Sequence, residues 1–112
     1  MEADAGTFSP YGLTFSGDNR LAQCIVNEVL KSLKCINSSR LILSEEGSDI
    51  DVLMKEGVPG SSLDTANERY FDFHHTNGDT MSVLNTKDLD LSTAVWAVTS
   101  YAFAALDHNL PR

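Results

Sequence analysis

Two stretches of the chain repeat apolar residues at helical spacing. In the first, Leu21, Ile25, Val29 and Leu33 recur every four residues, with Ala22, Val26 and Leu30 beside them. That period predicts a helix from Asp18 to about Ile36, capped by Ser16 or Asp18 and followed by Asn37. In the second, Leu91, Ala94, Val95, Val98, Ala102 and Ala105 form a stripe on a helix from about Asp88 to His108. Trp96 and Phe103 give this helix a second apolar face. A helix apolar on two sides is expected to be more buried than a surface helix, and to leave one of those rings exposed unless further chain covers it.

The remaining elements are shorter. Arg40-Leu41-Ile42-Leu43 reads as a buried strand, and Gly60 to Leu63 as another. Ser48-Asp49-Ile50-Asp51 has the form of a capping box opening a helix to about Glu56, which Gly57 stops. Met1 to Phe8 reads as the end of a strand. Ser9 to Gly17, with Pro10, Gly12 and Gly17, reads as a loop, and Leu63 to Arg69 as irregular. Tyr70 to His75 is expected to be extended, with Phe71, Phe73 and His75 on one face and Tyr70, Asp72 and His74 on the other. Strands alternating with helices predict an α/β fold, a mainly parallel sheet flanked by helices. Its strand ends would gather Asp4, the Ser61 to Asp64 region and His75 along one edge. Residues 1–112 have the length of one domain.

Composition narrows the function. The net charge of −8 and the singly scattered Lys and Arg argue against nucleic acid and against a basic membrane patch. No apolar run reaches the roughly 20 residues of a membrane span, and the first residues do not read as a signal peptide. Cys24 and Cys35, on one predicted helix, would lie about 16 Å apart, too far for a disulfide. Asn37-Ser38-Ser39 is an N-glycosylation sequon at a helix end.

The chemistry concentrates in Tyr70 to Thr80. A histidine on an apolar face before an Asn-Gly-Asp turn is placed to be a metal ligand, with Asp79 folding back onto its second nitrogen. The competing reading is a partly buried structural histidine, and no His-x-x-x-His or Cys-x-x-Cys pattern completes a site. Glu45 and Glu46 suggest a general base but read more simply as a polar loop.

Three ordered signatures go further: Glu2-Ala3-Asp4-Ala5-Gly6-Thr7-Phe8, then Gly47-Ser48-Asp49 with Gly57-Val58-Pro59-Gly60, then Phe73-His74-His75-Thr76-Asn77-Gly78-Asp79-Thr80. Together they resemble the C-terminal part of the co-catalytic di-zinc exopeptidases, the aminopeptidase and glutamate-carboxypeptidase group. The resemblance runs along essentially the whole chain, including Ala94-Val95-Trp96-Ala97-Val98. It implies that Asp4 binds one zinc terminally and that His75, rather than His74, binds the other. Tyr70 is a candidate hydrogen-bond donor to the oxyanion. The first histidine, the bridging aspartate and the Glu-Glu pair of base and ligand belong upstream of Asp4, and Glu45 and Glu46 do not replace them.

The resemblance further implies a peptide substrate, two zinc ions, a homodimer in the full-length form, and a secreted or endomembrane and lysosomal setting. On that reading the chain is the C-terminal segment of a longer zinc carboxypeptidase or dipeptidase, inactive alone. The alternative is a short, non-catalytic α/β interaction protein.

Overall fold

Pro10 to Ser16, most of the stretch expected to be a loop, forms the middle of a sheet. The computed structural model describes residues 1–44 and 47–112, so Glu45 and Glu46 lie outside the described residues. Strand β1 (Pro10–Ser16) is central, with β2 (Arg40–Leu43) parallel on one side and β3 (Gly60–Thr65) antiparallel on the other. Pro10 is tolerated because it opens the strand, where a missing N–H costs least. Beyond it Leu13 and Phe15 point together into the core, while Thr14 faces the other way. The turn-forming residues hid this period-two signal.

Gly12 explains why a glycine stands in a central strand. It pairs with Arg40 on one side and Asp64 on the other. A Cβ there would lie 1.9 Å from the Arg40 carbonyl oxygen, and φ is +154°. Across this gap Arg40 grips Asp64 with two hydrogen bonds, Nε to Oδ2 at 2.5 Å and Nη2 to Oδ1 at 2.8 Å. The guanidinium also lies over the Tyr11 ring, 4.4 Å from its centroid.

Helix α1 (Arg20–Lys31) crosses from β1 to β2 and is followed by a 3₁₀ turn, Lys34–Ile36. Asn19 caps it, not Ser16 or Asp18: its side chain accepts from the N–H groups of Leu21 and Ala22. The buried stripe is Ala22, Val26, Leu30 and Leu33, whereas Leu21 is 60% exposed. Both stripes fit a helical period, and only the sheet beneath decides which one turns inward.

Helix α4 (Thr86–Ala104), capped by Asn85, packs on the same sheet face through Ser92, Val95 and Thr99. Small hydroxyl residues bring the helix close, and their polar atoms are satisfied locally. Thr99 Oγ1 donates to the Val95 carbonyl at 2.8 Å, and Ser92 Oγ to that of Phe8 at 3.4 Å. Of the expected stripe, Val98 is exposed, as is Ala105 just past the helix end. Trp96 and Phe103 are half-buried against the core, contrary to the exposure expected of one of them. Tyr101 is the exposed ring of this helix, at 77%.

The fold is α/β, a helix-flanked sheet with β1–β2 parallel and β1–β3 antiparallel. β2 is an edge strand with Leu43 58% exposed, not a buried one. Glu2 contributes one parallel bridge to β3. Its N–H donates to the Ser61 carbonyl at 3.0 Å and its carbonyl accepts from Leu63 at 3.3 Å. No longer strand forms at residues 2–8. Helix α2 (Asp51–Lys55) ends at Gly57, where φ is +76° and the Gly57 and Val58 N–H groups return to Met54 and Leu53. Among the described residues no helix is long and apolar enough to cross a membrane.

Gly12→Ala should destabilise the fold by about 2–3 kcal/mol or more, because a methyl group in that gap displaces backbone rather than a flexible side chain. Urea denaturation reads this directly. An unchanged midpoint would show that the β1–β2 spacing does not depend on the glycine.

Candidate functional site

Asp4 stands in irregular chain two residues past the Glu2 bridge, and Ser48 Oγ donates to its Oδ2 at 3.1 Å. The capping box expected at Ser48 does not form, because Ile50 occupies the N-cap position of α2. The amides of Ser48, Asp49 and Ile50 instead donate to the carboxylate of Glu2, at 2.7, 2.9 and 3.1 Å. Gly6, with φ +77°, then turns the chain beneath Tyr70, whose ring lies 3.6 Å from where a Cβ would stand.

The histidine stretch is not extended. Tyr70–Phe73 forms α3, a single helical turn, so the expected alternation of faces is lost. Phe71 is 82% exposed, and Tyr70 and His74 meet as i and i+4 neighbours with ring centroids 4.5 Å apart. Tertiary placement overrides the aromatic β-propensity here. His75 follows with φ +56°, a left-handed conformation uncommon for a residue with a side chain.

The turn behind His75 holds this conformation. Thr76 N–H and Oγ1 both donate to the Phe73 carbonyl, at 2.9 and 2.7 Å. Gly78 N–H donates to Thr76 Oγ1 at 3.1 Å, and Asp79 N–H to the Thr76 carbonyl at 3.1 Å. The strain is thus stored at the residue singled out for chemistry and offset by its neighbours.

These elements enclose a cavity of about 320 Å³ whose walls include Asp4, Tyr70, His74, His75 and Asp79. Asp4 and His75, far apart in sequence, therefore face a common space. His74 lines it too and stacks on His75, with centroids 3.9 Å apart, so it does not turn away toward Asp72. Among the described residues no hydrogen bond joins the Asp79 carboxylate to His75. A second cavity, of about 250 Å³, opens on the other side of Asp4 and Tyr70, toward Glu2, Thr14 and Asp64.

The Tyr70 phenol is pushed above its ordinary range, first by desolvation and then by the negative charges of Asp4 and Asp79. It is therefore a neutral hydrogen-bond donor at physiological pH. Asn37, the sequon asparagine, is exposed at a left-handed turn before β2. Cys24 and Cys35 are free and exposed.

Among the described residues no three His, Cys, Asp or Glu side chains converge to hold one ion. What the sequence did not reveal was the Glu2–Ser48–Asp4 connection. Its signal is faint: Ser48 looks like a helix cap, although an acceptor for three successive amides could equally come from distant chain.

No family model matches the chain. It is 45% identical to carboxypeptidase Q of Mus musculus, over all 112 of its residues and 24% of that protein. The same identity and coverage hold for carboxypeptidase Q of Homo sapiens and of Xenopus laevis. The chain thus spans about a quarter of the length of these relatives. Its structure superposes on that of a peptidase M28 precursor from Shewanella amazonensis SB2B with a TM-score of 0.86 and 26% identity, covering 97% of this chain and 25% of that one.

The raised Tyr70 pKa has a direction that can be tested. The fold favours the neutral phenol, so its stabilising contribution is present below the ordinary tyrosine range and is lost as pH rises through the raised value. NMR titration of ring-labelled tyrosines, assigned with Tyr70→Phe, should find Tyr70 ionising above pH 10. Asp4→Asn and Asp79→Asn should each bring it down. A titration at the ordinary value in the unmutated chain would contradict this environment.

Proposed function

Because this chain is a homologue, along its whole length, of about a quarter of carboxypeptidase Q, we propose that it forms the wall of a zinc exopeptidase site that carries Asp4 and His75. The peptidase would hydrolyse dipeptides or short peptides. The observation that carries this reading is the common cavity, with Asp4 and His75 both in its lining and Tyr70 beside them.

Asp4 and His75 supply one carboxylate and one imidazole, and a catalytic zinc needs about three protein ligands with an open position. Among the described residues no third donor joins them, so on this reading the remaining donors, and the carboxylate that takes the proton from water, come from further chain of the complete protein. A metal pair would lower the pKa of the attacking water and polarise the carbonyl. The part played by this chain is to hold two donors rigidly and to offer Tyr70. A phenol kept neutral can donate to the oxyanion as it forms, and a charge-neutral donor in a partly closed cavity contributes most when that charge appears. Residues 1–112 act here as one domain segment, and Asp79, within the same cavity, is a candidate to orient an imidazole through water. The reading further includes a secretory or lysosomal setting, a glycan on the exposed Asn37, and a dimeric assembly of the complete protein.

The test is a chimera in which this chain replaces the matching quarter of Mus musculus carboxypeptidase Q. The chimera should bind zinc and cleave dipeptides. Asp4→Ala or His75→Ala should abolish turnover, His74→Ala should leave more of it, and Tyr70→Phe should lower kcat about 10²–10³-fold. The 112 residues alone should show no turnover with added zinc. Turnover by that isolated chain, or an unaffected His75→Ala chimera, would overturn the assignment.

A further inference from the structure

Asp4 has no regular secondary structure around it, yet two independent anchors fix the chain that carries it. The backbone of Glu2 bridges to β3 on both sides, and its carboxylate accepts the three successive amides of Ser48, Asp49 and Ile50. The clamp needs close approach: a Cβ on Gly47, where φ is +147°, would lie 3.1 Å from Glu2 Oε1 and 2.6 Å from Ile50 Cγ1. Ser48 is delivered by this clamp so that its hydroxyl meets Asp4 Oδ2.

We propose that Ser48 is a positioning residue for Asp4, set in place by Glu2. Ser48 occupies one carboxylate oxygen by donating to it and leaves Oδ1 for whatever the cavity binds. A carboxylate in irregular chain otherwise samples several rotamers, and a ligand that must first select one binds more weakly. Hydrogen bonds of this kind to a ligating carboxylate orient the donor and tune what it holds. The consequence for binding rests on the proposed role of Asp4, whereas the positioning itself does not.

Two measurements separate these. In the 112-residue chain, the Hα–Hβ couplings of Asp4 should be those of one staggered rotamer rather than an average over three. They should average in Ser48→Ala and stay at the single-rotamer values in Ser48→Thr, which keeps the hydroxyl. Glu2→Ala should speed amide exchange of Ser48, Asp49 and Ile50 at least about tenfold and average the same couplings. In the chimera, equilibrium dialysis should find zinc binding weakened about 10–100-fold by Ser48→Ala and restored by Ser48→Thr. Asp4 couplings unchanged by Ser48→Ala would overturn the positioning role, and unchanged zinc affinity would overturn its consequence for binding. A chimera without turnover would count against the peptidase reading, while the couplings still decide the role of Ser48.

Discussion

The arrangement of the whole sheet depends on a gap in its central strand. Gly12 has no side chain, so β2 approaches β1 closely and Arg40 can reach over it to Asp64 on β3. The pair joins the two outer strands directly. Asp64 is almost wholly buried, and burying a carboxylate is costly unless a partner with matched geometry meets it. The bidentate guanidinium meets that need, and its hydrogen bond with Asp64 raises the arginine pKa further above its ordinary value. Tyr11 covers the guanidinium from the β1 side.

Fixing β3 fixes the candidate site. β3 is where Glu2 makes its backbone bridge, and Glu2 in turn gathers the amides that hold Ser48 against Asp4. On the opposite sheet face, Leu13, Phe15 and Leu63 pack with Ala22, Val26, Leu30 and Val95 into the apolar core. One face of the sheet is thus committed to stability through hydrophobic burial. The other carries polar side chains whose hydrogen bonds are made by design of the register, and its edge opens to the cavity of Asp4 and His75.

The second wall of that cavity follows a different logic. The single turn of α3 and the left-handed His75 are not favoured locally, and they persist because Thr76 ties its hydroxyl back to Phe73. The Tyr70 ring meets His74 at a tilt and His74 stacks on His75, and both histidines line the space. The extended conformation expected of Tyr70 to His75 does not form, and Asp4 and His75 line a common cavity by way of this helical turn instead. The chain matches about a quarter of carboxypeptidase Q, and among its described residues no three metal donors converge.

By itself the sequence determined what depends on short-range pattern. The apolar periods located α1 and α4, the Arg40 to Leu43 run located β2, and Gly57 marked the end of α2, because each signal is carried by neighbours in the chain. The ordered motifs around Asp4 and His75 likewise pointed to the residues that line the cavity. Only the tertiary structure decided the rest. Pro10 and Gly12 look like loop residues until Thr65 pairs with the first and Arg40 and Asp64 flank the second. Ser48 looks like a cap until Glu2 arrives from 46 residues away. The inner stripe of α1 could have been either of two until the sheet lay beneath it. In each case the deciding partner is distant in sequence, and a pattern confined to neighbours cannot register an acceptor, a close backbone or a packing surface that folding alone supplies.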